Sequence, residues 1–399
     1  MDRPAAPDPF ADIRPYRDDE VAGVLARLVR DREFAEVLAR MRLPGLAARW
    51  PALGRWLVRL ALARTFRGID TVAGFQQLVG RQLRPHMQRV ATDLTVSGLE
   101  ALQRGVSYLF IGNHRDIAMD PALVNLMLHD RGFDTVRIAI GDNLLSKGFA
   151  SDLMRINKSF IVRRGAAGRR EKLASLQQLS AYIRRSITVD GSSVWIAQRE
   201  GRAKDGIDVT DPAILKMLAL SRAPGQDFAA ALAELRPVPV AISYEFDPCD
   251  ADKARELHAL RSRGEYRKGE HEDLQSIYRG IMGAKGRVHV AFGAPLAAAD
   301  LASADAAAAA IDRAILREYR LCATHFAAHA ALYGPDPRAE RLRARLADPG
   351  WEASARLFQE RLAAVPEAER DLVLAMYANP LRRRLELEQE QEQTREQEA

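Results

Sequence analysis

Seven short apolar runs, set apart by stretches with helical spacing, restrict this chain more than any other feature. They are Leu94–Ser97, Tyr108–Ile111, Thr135–Ile140, Ser159–Val162, Ser193–Ala197, Val238–Tyr244 and Arg287–Phe292, four to seven residues each. Runs of that length suit strands and are too short for most helices. Between them, apolar residues recur with helical period over Pro121–His129, Asn143–Arg155, Gly168–Ser186, Pro212–Leu220 and Phe228–Leu235. The alternation predicts an α/β fold, a central mixed and largely parallel sheet flanked by helices. Sites in such sheets collect at strand ends, where loops converge.

The flanks read differently. Residues 1–20 are expected as a flexible lead, 21–92 as a helical module, 93–298 as the α/β domain, 299–380 as a helical extension and 381–399 as a charged tail. The lead has no apolar core of the signal-peptide kind, and no apolar run is long enough to span a bilayer. The stretch 42–67 interleaves Trp50, Trp56, Leu57, Leu60 and Phe66 with Arg49, Arg55, Arg59, Arg64 and Arg67. That pattern fits a helix lying in a membrane interface, or one packed on its own domain. Cys249–Gly286 is a charged insertion with a helix or two, and its run Arg267–Asp273 reads as solvated surface. In the alanine-rich extension His325 and His329 stand one turn apart without a third ligand nearby, so no metal site is expected. The Glu/Gln-rich tail shows no apolar face and is expected to fray or stay disordered.

A net charge of +6 favours an anionic partner. The basic residues are dispersed and no nucleic-acid signature is present, which points to a phospholipid surface and away from nucleic acid. Two cysteines, Cys249 and Cys322, form no disulfide framework, in keeping with a reducing compartment.

Three of the apolar runs end in chemistry. Tyr108–Ile111 leads through Gly112 and Asn113 into His114, Arg115 and Asp116, with Asp120 and Pro121 opening the next helix. An imidazole beside a carboxylate is the minimum equipment for deprotonating a hydroxyl. Asp116 suits equally a helix N-cap. Ser159–Val162 ends on Arg163 and Arg164, and Ser193–Ala197 runs on to Glu200, Gly201, Arg202 and Lys204. Lys147, Arg155 and Lys158 are candidates for a basic rim.

In these blocks, and in the proline-led strand Pro237–Glu245, the chain resembles the glycerolipid acyltransferase family. That family carries Asn-His-x-Ser-x-x-Asp, Phe-Ile-x-Arg, Glu-Gly-(Thr/Gly)-Arg and a Val-Pro-Val strand, in this order. The resemblance spans residues 94–296. It implies a fatty acyl group moved from a thioester, acyl-CoA or acyl carrier protein, to a hydroxyl of a lysophospholipid or glycerol-phosphate acceptor, with no bound cofactor or metal. His114 would be the general base, and Asp120 or Asp116 its partner. Arg163, Arg164, Glu200, Gly201, Arg202 and Lys204 would bind the phosphorylated acceptor, with Glu200 alternatively pairing Arg163. The implied location is cytoplasmic, peripheral on the inner face of the cell membrane.

Two departures bear on the acceptor. Met119 holds the place of the family's aspartate, with Asp120 one beyond, and Arg202 follows Glu200 by two residues where the family has three. An acyltransferase of the same fold with another acceptor, such as an amino-acid lipid or a secondary metabolite, remains an alternative. So does a non-catalytic basic lipid-binding protein.

Overall fold

The computed structural model describes residues 8–145, 147–165, 168–269, 272–346 and 350–398. Strands β1 to β7 are Ala91–Ser97, Leu109–Gly112, Arg137–Gly141, Ser159–Val162, Val194–Ala197, Pro237–Tyr244 and Gly286–Phe292, each within a few residues of an expected run. The chain divides into two compact units that interleave along the sequence, residues 1–85 with 136–182, and 86–135 with 183–399.

In the first unit, helix Asp18–Arg30 places Val21, Val24, Leu25 and Leu28 on one buried stripe. They pack with Phe34, Phe75, Phe149 and Ile156, the three- and four-residue spacing doing for this helix what alternation does for a strand. Strands β3 and β4 pair in parallel. The expected flexible lead is anchored where it is described: the carbonyl of the buried Ile13 accepts from Ile161 N at 2.9 Å, and Arg14 bonds Asp8 and Glu20. Residues 1–7 lie outside the described residues. The rim cations are also engaged, Lys147 with Glu33 at 2.7 Å and Arg155 with the carbonyls of Arg14 and Ala11. Lys158 turns the chain into β4 with a φ of 61°. Helix Pro51–Thr65 buries Gly54 and Val58 and leaves Trp56, Leu53 and Leu60 exposed, with Trp50 at its N-cap also exposed.

In the second unit the strands run in the order β1-β7-β6-β2-β5, all neighbours parallel except β6 and β7. Every residue of β2 and β6 is buried. The long helix Glu367–Glu398 packs Leu372, Val373, Met376 and Tyr377 against Phe246, Ala254 and Phe358. It continues through the expected disordered tail, because Leu385 is buried with Phe326, Leu342 and Leu381. The tail therefore has an apolar face, short and confined to its first turns; Ala399 lies outside the described residues. His325 and His329 are buried helix residues; His325 Nδ1 accepts from Cys322 N at 2.9 Å. Among the described residues no helix is long and apolar enough to cross a membrane.

Candidate functional site

Strand β2 lies between β6 and β5, so whatever follows it emerges from between two paired strands of the second unit's sheet. Asn113, fully buried, extends the pairing with its side chain. Its Oδ1 accepts from Ile242 N at 2.7 Å and its Nδ2 donates to Ile242 O at 3.0 Å. The amide thus imitates one more strand residue against β6, and the chain leaves the sheet at His114.

His114 Nδ1 lies 2.8 Å from Asp120 Oδ2. Asp120 stands on the first turn of helix Met119–Asp130 and has no exposed surface. The same Oδ2 accepts from the backbone N–H groups of Arg115 at 2.6 Å and Asp116 at 2.9 Å, and Oδ1 accepts from the Tyr244 hydroxyl at 2.7 Å. A carboxylate surrounded by donors is held as an acceptor, so the ring proton sits on Nδ1 and points at it. Nε2 is left with a free lone pair; it has no hydrogen-bond partner among the described residues. The imidazole remains 16% exposed, enough for a substrate to reach it. Trp195 on β5 sets its ring edge-on to His114 at 5.8 Å. Gly112 allows this, since a Cβ there would lie 2.9 Å from Trp195 Nε1.

Asp116 makes no hydrogen bond to the ring. Its Oδ1 accepts from Ala118 N at 3.0 Å and Met119 N at 2.9 Å, closing the turn into the helix as a cap does. Its Oδ2 is buried without a hydrogen-bond partner among the described residues. Burial first, and the neighbouring Asp120 second, push its carboxyl above the ordinary range.

The third block runs beside the first. Gln198 N donates to Gly112 O at 2.8 Å and Ala203 N to His114 O at 2.9 Å, so the Glu200-Gly201-Arg202 turn starts and ends against the histidine loop. Gly201 has a φ of 77°, the left-handed region that favours glycine. Glu200 is exposed, Arg202 donates to Ser276 Oγ at 2.7 Å, and Lys204 is ion-paired with Glu256. Arg163 and Arg164 belong to the first unit. Both are exposed; Arg163 pairs with Asp12, and Arg164 N donates to Asp142 Oδ2 at 3.2 Å.

Several residues of this site carry no signal in the sequence. Tyr244 ends a strand that reads as plain core. Arg115, fully buried, bonds Asp208 at 2.6 Å, while the buried Lys253 donates to Arg115 O at 2.7 Å and pairs with Asp247. Tyr377 in turn accepts from Asp247 N at 2.8 Å and donates to Asp250 at 2.9 Å, and Arg361 clamps Asp250 with two bonds. A run of buried ionic and hydroxyl groups thus ties the histidine loop to the last helix. Their sequence separations exceed a hundred residues at Tyr377, which no local pattern encodes. In the Arg267–Asp273 run Arg267, Lys268 and Gly269 are exposed as expected, Gly269 and Glu272 also line a pocket, and Glu270 and His271 lie outside the described residues.

Residues 93–243 match the family model described as Acyltransferase. Among solved structures, the 1-acyl-sn-glycerophosphate (LPA) acyltransferase PlsC from Thermotoga maritima is similar at 13% identity with a TM-score of 0.37, over 72% of this chain and 95% of that one. No curated protein matches.

Proposed function

We propose that this chain, an acyltransferase by the domain it carries at residues 93–243, moves a fatty acyl group from a thioester to a hydroxyl of a glycerol-phosphate-type lipid. The observation that supports this most is the His114–Asp120 pair, an oriented imidazole with its outer nitrogen accessible. A free alcohol is a weak nucleophile at neutral pH and needs a base as it attacks. Nε2 takes the hydroxyl proton while the alcohol oxygen bonds the thioester carbonyl carbon. The carbon–sulfur bond then breaks and the proton goes to the leaving thiolate. Asp120 fixes the tautomer and offsets the charge of the imidazolium, the role of the acid in a hydrolase triad. The donor is acyl-CoA or acyl carrier protein.

For the acceptor phosphate Arg202 ranks first, because it has no carboxylate partner among the described residues. Lys204 is held by Glu256, and Arg163 of the first unit by Asp12, so both rank behind it; Arg164 in the first unit and the Glu200-Gly201 turn in the second are the remaining candidates. The exposed Trp50, Leu53, Trp56 and Leu60, with exposed Arg49, Arg64 and Arg67 around them, would rest the first unit on an anionic bilayer, on the inner face of the cell membrane. Two tryptophans and basic neighbours are the make-up of an interfacial helix.

The test is thiol release from acyl-CoA with lysophosphatidate. His114→Ala should lower turnover by about 10²- to 10⁴-fold, the range for general-base catalysis, with an unchanged circular dichroism spectrum. Near-native turnover in a folded variant would remove His114 from the mechanism.

A further inference from the structure

Helices Asp250–Arg263 and Glu272–Met282, with the turn bearing Arg202, enclose a polar pocket of about 320 Å³ within the second unit. Arg202 stands one residue before Ala203, whose N–H bonds the His114 carbonyl. One wall of the pocket, the turn bearing Arg202, therefore adjoins the loop that carries the imidazole.

We propose that this pocket holds the acceptor's head group, and that the head group is a hydroxylated monoanion, a phosphodiester with further free hydroxyls. The proposal rests on the acyl-transfer reading above and goes further by naming the acceptor's chemistry.

Size is the first argument. Sites that enclose small molecules begin at about 300 Å³, well beyond what one phosphate fills. Charge is the second. Among the described residues lining it are four cations and three carboxylates. Lys253 is spent on Asp247 and the Arg115 carbonyl, Glu256 on Lys204, and Arg255 and Arg279 share Asp252. Among the described lining residues Arg202 is the one cation without a carboxylate partner, its partner being the Ser276 hydroxyl, and Glu272 is the one carboxylate without a cation partner. One uncommitted guanidinium suits one anionic group, bound through two parallel N–H donors. The doubly charged end of a phosphate monoester would call for a second cation.

The remaining lining is the third argument. Glu272 accepts from Gly269 N at 3.0 Å and from the Tyr266 hydroxyl, and Gln275 and Ser276 offer both donors and acceptors. Mixed polar groups of this kind satisfy hydroxyls, which donate and accept at once. A quaternary ammonium is recognised by a cage of aromatic faces, and Tyr266 is the only aromatic side chain among the described lining residues.

Two measurements on the full chain test this: thiol release with lysophosphatidylglycerol, lysophosphatidate and lysophosphatidylcholine, and calorimetric titration with glycerophosphoglycerol. Both are repeated with Gln275→Trp, which fills the pocket from an exposed position and so spares the core. The expected result is at least tenfold higher kcat/KM for lysophosphatidylglycerol than for the other two. Gln275→Trp should raise the KM for it tenfold or more and abolish glycerophosphoglycerol binding. Equal use of all three acceptors with KM values unmoved by Gln275→Trp overturns the head-group assignment and leaves acyl transfer standing. If no acceptor releases thiol, acyl transfer falls, and the titration alone decides the pocket. Binding lost in Gln275→Trp sustains it, and no binding to the unsubstituted chain overturns it.

Discussion

Replacing Asp120 by Asn separates charge from shape at the centre of the proposed mechanism. The amide can place its oxygen where Oδ2 accepts from His114, Arg115 N and Asp116 N, and its nitrogen toward the Tyr244 oxygen. The Tyr244 hydroxyl then loses its acceptor inside the protein, which costs about 1–3 kcal/mol of stability. What the fold keeps, the imidazolium loses. With charge centres about 4 Å apart and an effective dielectric of about 20, the lost attraction is about 4 kcal/mol, or about 10³-fold in rate. The expectation is turnover down by about 10³ with the acceptor KM within about twofold, the pattern for an interaction made chiefly in the transition state. Asp116→Asn should cost less than about tenfold, because asparagine caps a helix as well as aspartate does. The assay is steady-state thiol release at matched folded concentrations, checked by thermal melts. The reverse ranking, Asp116→Asn crippling and Asp120→Asn mild, would refute the assignment of the base's partner.

The remaining predictions concern the surface and the pH range of stability. Trp50→Ala with Trp56→Ala should lower flotation with anionic vesicles, and binding of the unsubstituted chain should weaken with salt as surface charges are screened beyond about 10 Å at 0.1 M; flotation unchanged by the double substitution would mean the helix has another role. Burial pulls the His325 imidazole from 6.5 to about 4, so the unfolded chain binds the extra proton between those values. Stability should therefore decline as pH falls from about 6.5 toward about 4, by on the order of 3 kcal/mol from this group. Denaturant melts of His325→Gln across that window should show a flatter dependence, and an identical slope would rule the group out.

Strands β2 and β6 were legible because they are buried on both faces, which leaves little room for polar side chains. The proline before Leu123 and Val124 likewise marked where the helix after His114 begins. Distance in sequence hid the rest. Tyr244 holds Asp120 across 124 residues, and Asn113 reads as a turn residue until its amide is seen pairing with β6. Leu385 and Leu387, two buried leucines in a Glu/Gln-rich segment, were too few to reveal a face by period. Glu272 gave no sign that it would line a pocket, because a solvated run and a polar lining have the same composition.

The joint between Tyr377 and the histidine loop has a consequence in time. Lys253, which bonds the Arg115 carbonyl, is steadied by Asp247, and Asp247 and Asp250 are both engaged by Tyr377. During synthesis at about 5–20 residues per second, the roughly 260 residues between Arg115 and Tyr377 take on the order of 13–50 s. Throughout that interval the nascent chain carries His114, Asp120 and their local bonds without the clasp that fixes the loop from behind. On the proposed mechanism, catalytic competence is then expected only with the final helix, the last part of the clasp to be made.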